Sequence, residues 1–322
     1  MVGYGAGGVM AQPSDNHGPL LAAFLGNMCI AVLKVVVAFF TGSSAMLAES
    51  VHSFADTGNQ VLLYVGLKRA KRAPDELHPF GYGKEAYFWA FLVSIGIFAG
   101  GSVFSIYHGI HNLSATPEPG ASRFWAYMVL SGAIVFEGVA FGVAWKAFQA
   151  RYGKGRFFKA IREARDPVLF TVLLEDGAAM MGLVVALFGV AMADITGIHA
   201  FDAGASILIG IILAFVSFML AGEVHSLLLG ESGHPKLVGN IRSLLDEAPE
   251  ILQLADLRTL QMGPDALYVM IEARIDASEH EGDIARATDV VEQRIIALDP
   301  QIRRVYLEAQ TPEGILAEAA HE

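Results

Sequence analysis

His52 and Asp56 stand four residues apart in SSAMLAESVHSFADTGNQVLLYVGL, an apolar stretch from Ser43 to Leu67 that is long enough to cross a bilayer. A helix turns ~100° per residue, so this spacing stacks an imidazole and a carboxylate on one face. Ionisable groups are costly at membrane depth and are kept there when they pair, relay protons or hold an ion. An imidazole with carboxylates and no thiolate suits a borderline divalent cation, zinc first, then cobalt, iron or manganese. Calcium and magnesium want more oxygen and less nitrogen. The structural alternative is a neutral His bonded to a neighbouring helix beside a paired or protonated Asp.

Other polar groups share that depth. Glu175 and Asp176 sit side by side in DPVLFTVLLEDGAAMMG. Adjacent residues point ~100° apart, so the two cannot face one partner equally, and one of them can face the helix of His52 and Asp56. Asn59, three residues after Asp56, is on the same face, and Asn27 and Lys34 share a stripe of an earlier apolar segment. Glu49 and Glu137 add two carboxylates. Taken singly, Lys34 and Glu137 read as a buried ion pair or a snorkelling contact rather than as ligands. Together these residues make an acidic interior with one imidazole, which stability alone would not require.

The elements that position this chemistry are membrane helices. Hydrophobic residues make up 54% of the chain, only 17% are charged, and mean hydropathy is positive. Six apolar segments reach spanning length: 19–40, 45–67, 87–110, 124–148, 167–193 and 201–222. The connections KRAKRAPDELHPFGYGK and KAFQARYGKGRFFKAIREAR are basic, whereas HNLSATPEPGASR and DITGIHAFD hold one Arg between them. The positive-inside rule then places both termini and both basic loops in the cytoplasm. Net charge is −11, but much of the acid lies in the last ninety residues, so the whole-chain balance says little about partners. The single cysteine, Cys29, excludes a disulfide framework and a thiolate zinc cluster.

Near Gly230 the composition turns to that of an ordinary soluble domain. HPKLVGNIRSLLDEA reads as a helix, and LADLRTLQMG and ALYVMIEARI as two strands joined by a Gly-Pro-Asp turn. GDIARATDVVEQRIIALD follows as a helix with apolar Ile284, Val290, Val291, Ile295 and Leu298, and IRRVYLEAQ as a third strand. This α-β-β-α-β order predicts a small α+β domain whose open sheet edge invites self-pairing. The expected division is a polar tail over 1–18 rather than a cleaved signal, a transmembrane domain over 19–230, a cytoplasmic domain over 231–311 and a tail over 312–322. Enzymatic readings fare poorly: HExxH, GxSxG and a phosphate-cradling P-loop are all missing. An ATP-driven pump would also need a nucleotide domain, for which the sequence leaves no room.

TGSSAMLAESVHSFAD, HPFGYGKEAYF, LLEDGAAMMG and FDAGASILIG occur in that order between about Leu20 and Glu308. The chain thereby resembles the cation diffusion facilitators, a family of six-helix proton-coupled exporters of zinc and other divalent metals. LLED, and the NQ after the HxxxD pair, resemble the branch that includes the mitochondrial zinc transporter of animals. The resemblance implies six membrane helices, a ferredoxin-like cytoplasmic domain and a homodimer. It also implies a transport site of four residues, two in the second helix and two in the fifth. His52 and Asp56 match the first pair and Asp176 the last position. The remaining position falls on Val172, which cannot bind metal, and Glu175 is its leading substitute, with Asn59, Asn27 or a water behind it.

The family's auxiliary sites are thinly represented. Asp75 and His78 fall in the loop where some members hold a second ion, and the soluble domain offers His234 and His280 without Cys. The reading is therefore a bacterial inner-membrane homodimer that exports Zn2+, or else Mn2+, Fe2+ or Co2+, in exchange for protons. Its partners are metal, protons, lipid and a second copy, with no nucleic acid. His52 is the natural coupling group, because an unperturbed imidazole titrates near pH ~6.5. The runner-up is a membrane-bound metal sensor or scaffold with a degenerate site, favoured by Val172.

Overall fold

The computed structural model describes residues 17–113, 124–152, 167–275 and 281–309. Helix α1 spans His17–Thr41 and α2 Ser44–Ala70. The third apolar segment is one rod in three parts, α3 (Glu85–Gly96), a π-helical stretch (Ile97–Val103) and α4 (Phe104–Asn112). Next come α5 (Phe124–Tyr152), α6 (Pro167–Thr196) and α7 (Ala200–Leu229). The sequence had suggested a plain helix for the third segment. Its central IFAGGSV carries adjacent glycines, which have weak helix propensity, at the place where the helix is wound one residue wider per turn.

Four helices are long and apolar enough to cross a membrane among the described residues: Glu85–Asn112, Phe124–Lys146, Phe170–Thr196 and Ala200–Leu229. The described apolar part of α1, Met28–Thr41, is shorter than a span. Helix α2 has the length, but Glu49, His52 and Asp56 lower its apolar character, so the helix that carries the chemistry is the least lipid-like of the set.

Helix α2 lies at the centre of the bundle, packed against α1, α3, α6 and α7. The chain enters it through Gly42, whose φ of +63° is a left-handed conformation that glycine adopts without a Cβ clash. Ser43 caps the helix, its Oγ accepting from Met46 N at 3.2 Å. Asp202, at the start of α7, then accepts from Ser43 Oγ and from Ser44 N, both at 2.6 Å. A carboxylate is favourable there because the first N–H groups of a helix lack partners and carry its positive end. At its other end α7 receives a cation: Lys84 Nζ donates to Leu228 O at 3.1 Å. Small residues let α7 approach the third rod closely, since a Cβ at Gly109 of α4 would meet Ala203 O at 2.8 Å and one at Gly210 of α7 would meet Ser102 O of the π-helical stretch at 2.8 Å.

The C-terminal sheet domain begins with α8 (Pro235–Glu247), followed by β1 (Ile251–Gly263), β2 (Ala266–Ile275), α9 (Glu281–Ile296) and β3 (Ile302–Ala309). The sheet order is β1-β2-β3, with β2 central, antiparallel to β1 and parallel to β3. The alternation of ALYVMIEARI buries Leu267, Val269, Ile271 and Ala273 on one face, where Ile241 and Leu245 of α8 and Val291 and Ile295 of α9 cover them. The expected α-β-β-α-β order is what forms. Two apolar residues expected on the buried stripe, Val290 and Leu298, are exposed instead. Val290 is one step round from Val291, and Leu298 follows the end of α9.

Candidate metal site

His52 and Asp56 meet as their spacing requires: Nδ1 lies 3.2 Å from Asp56 Oδ1. His52 is 1% exposed, and neither ring nitrogen, nor that oxygen of Asp56, has a hydrogen bond among the described residues. The pair is therefore close without the alignment of a made bond. Buried polar atoms normally find partners, and those left open at a functional depth are candidates for a ligand.

Facing α2 is α6. Glu175 is 4% exposed, and Asn59 Nδ2 donates to its Oε1 at 2.6 Å. Asp56, Glu175 and Asp176 line one cavity together with Ser53, Gln60, Val172 and Glu137 of α5. Both members of the acidic pair thus reach the same space despite the ~100° between neighbours. His52 is not one of these lining residues; its ring lies beside Asp56, which is. Among the described residues, no three His, Cys, Asp or Glu side chains are yet drawn together closely enough to hold a metal ion. The groups face one space without closing around one point.

Lys34 forms the buried ion pair read for it in the sequence. It is fully buried, donating to Ser53 Oγ at 2.7 Å and to Glu49 Oε2 at 3.4 Å, so its carboxylate partner is Glu49 and not Glu137. The carboxyl of Glu49 occupies the space left by Gly182 on α6. Asn27 lies on α1, its side chain outside the described residues. Gln60 was missed, although it is four residues after Asp56 and so extends the stripe of His52 and Asp56. Glu137, counted in the sequence with the acidic interior as a lone carboxylate among apolar residues of its segment, does line the cavity.

Asp75 and His78 are joined in the loop between α2 and α3. Asp75 Oδ1 accepts from His78 N at 2.7 Å and lies 3.3 Å from His78 Nδ1, while Tyr82 OH donates to Oδ2. The Tyr82 hydroxyl, and then the His78 backbone, hold the Asp75 carboxyl below its ordinary range, and the same carboxylate raises Tyr82. Arg72 covers the Tyr82 ring at 4.6 Å. A metal here would have to displace bonds that already order the loop. His280 lies outside the described residues, and the imidazole of His234 caps α8 by accepting from Lys236 N.

A family profile for the cation efflux transmembrane domain matches residues 20–229, from α1 through α7. The chain belongs to the cation efflux family. It is 34% identical over 245 residues to the human protein named proton-coupled zinc antiporter SLC30A9, mitochondrial, covering 76% of this chain and 43% of that one. It is 32% identical over 266 residues to metal tolerance protein C4 of Arabidopsis thaliana, covering 80% and 57%. Magnetosome protein MamB of Magnetospirillum gryphiswaldense is 22% identical over 285 residues, covering 88% and 90%. The chain spans about half the length of the first two relatives. The cation efflux match contains every helix that lines the cavity, and the C-terminal sheet domain follows it.

Proposed function

We propose that this chain is a secondary transporter that carries divalent metal, Zn2+ before Mn2+, Fe2+ or Co2+, out of the cytoplasm in exchange for protons. The observation that supports it best is the carboxylate-lined cavity between membrane helices, with an unbonded imidazole against its wall. The similarity to a protein named as a proton-coupled zinc antiporter points the same way. His52, Asp56 and Asp176 are the metal ligands in this reading. Glu175 stands beside them with one oxygen held by Asn59. The chain works by coordination and transport rather than by covalent chemistry.

Coupling follows from ligand protonation. Carboxylates and imidazole bind metal only after losing their protons, so metal and protons exclude one another from the same atoms. A site that takes metal from one side and protons from the other exchanges the two without further machinery. In this reading α1 and α2 complete a six-span domain, both termini and the basic loops are cytoplasmic, and the protein works as a homodimer in the bacterial inner membrane. Asn59 acts by holding Glu175, and Asn27 on α1 is the other supporting residue. The Asp75–His78 pair is the weaker second site.

The test is Zn2+-driven proton flux in proteoliposomes holding the full chain. Wild type should move protons against Zn2+, and Asp56→Asn should do neither while remaining folded. Equal flux in both proteins would refute the site. A membrane sensor or scaffold is the competing reading, favoured by Val172 facing the cavity where the family pattern has a ligand. It predicts Zn2+ binding without flux in wild type.

A further inference from the structure

Val172 lines the cavity with a side chain that offers no donor, leaving the proposed site one ligand short. Glu175 fills that place poorly, because Asn59 already holds one of its oxygens at 2.6 Å. Across the same cavity stands Glu137, carried by α5, a helix to which the family pattern assigns no ligand.

Three observations set Glu137 apart from a structural carboxylate. No hydrogen bond or ion pair engages it among the described residues. Lys34, the cation that could have neutralised it, is bonded to Glu49 and Ser53. It lines one cavity with three other carboxylates, Asp56, Glu175 and Asp176. Like charges gathered at membrane depth repel strongly unless a cation is shared among them. Independently of these carboxylates, His52 points to a ligand: it is 1% exposed, with both ring nitrogens unbonded, and lies 3.2 Å from the unbonded oxygen of Asp56.

We propose that Glu137 is the metal ligand that replaces the donor missing at Val172, so that three helices, α2, α5 and α6, share the transported ion. The inference rests on the transport reading above. The donor set becomes His52, Asp56, Asp176 and Glu137, one nitrogen and three carboxylates, which a borderline cation accepts. Helix α5 packs directly on α6, so two ligand-bearing helices can shift together when the ion enters or leaves.

The test is Zn2+ titration of the full chain purified in detergent, with Zn2+ uptake measured in proteoliposomes. Glu137→Gln should weaken Zn2+ binding at least about tenfold, the lower end of what even outer-shell changes cost a metal site. Val172→His in the Glu137→Gln background should recover most of the loss, because it returns a donor to the fourth place. If Glu137→Gln binds and transports as wild type does while Asp56→Asn does neither, the assignment of Glu137 is overturned and the transport reading stands. If Asp56→Asn also transports normally, both fall. Should Glu137→Gln fail to fold, Glu137→Asp decides in the same titration. Retracting the carboxylate by one methylene should lower affinity severalfold, and an unchanged affinity overturns the proposal.

Discussion

At the scale of single residues, the membrane interior holds two polar systems with different purposes. Lys34 bonds to Glu49 and Ser53, with Oε1 of Glu49 left unbonded, whereas both ring nitrogens of His52 and Oδ1 of Asp56 have no hydrogen bond among the described residues. The first system should behave as a buried ion pair. Lys34→Met leaves Glu49 buried without its cation, Glu49→Leu leaves Lys34 without its carboxylate, and each should destabilise the fold by about 3–5 kcal/mol. Lys34→Met with Glu49→Leu removes both charges and should return stability to near wild type. Thermal unfolding of the four proteins in one detergent completes the cycle, and additive single losses would show that the two groups do not act as a pair. Asn59 belongs to the second system. Asn59→Leu is nearly isosteric but removes the donor to Glu175, so Zn2+ affinity should fall roughly 10–100-fold, as for other positioning contacts at metal sites. Asn59→Asp should do worse, because it sets a carboxylate against Glu175. Wild-type affinity in Asn59→Leu would show that Glu175 needs no holding.

Among the elements, the loop between α2 and α3 is built on charge. Asp75 accepts from Tyr82, His78 N and His78 Nδ1 and titrates below its ordinary range, so folding binds it preferentially in the ionised form. The sign of the linkage follows. A depressed carboxyl pKa contributes order above the unfolded value of ~3.9 and loses it as pH falls through the folded one. Amide exchange in residues 75–82 should therefore be unchanged between pH 7 and 5, after correction for the intrinsic rate, and should rise below about pH 4. Tyr82→Phe should raise exchange at every pH, and equal protection in the two proteins would show that the hydroxyl does not order the loop.

The same scale shows what the sequence could disclose. The strands of the sheet domain were legible because ALYVMIEARI alternates and a Gly-Pro-Asp turn precedes it. The face of α2 was legible because a regular helix fixes where residues four apart must lie. The π-helical stretch was not, since a glycine pair permits several windings and packing against α7 selects one. Glu137 was legible as a carboxylate at membrane depth but not as part of the cavity wall, because that place depends on how α5 packs against α6, which the pattern of α5 alone does not encode.

For the whole molecule, the question is how the sheet domain is joined to the helix that carries the site. Beyond the α7–α8 connection, the loop leaving α2 touches it directly. Tyr268 of β2 donates to Phe80 O at 3.1 Å, with the two rings 5.7 Å apart. Beside them Gly83 and Gly263 meet backbone to backbone: a Cβ on Gly263 would lie 2.8 Å from Gly83 Cα, and one on Gly83 would overlap Met262 O. Lys84, the next residue, caps α7 through Leu228 O. A change in the tilt of α2 or α7 therefore reaches the β1–β2 turn through rigid neighbours. Gly83→Val forces that contact apart without touching any cavity residue. It should leave equilibrium Zn2+ affinity within about twofold, because Gly83 and its backbone partners stand apart from the residues that line the cavity. Amide exchange should rise in residues 261–268 and Zn2+ uptake should slow. Normal uptake together with increased exchange would show that the contact holds the domain in place without taking part in transport.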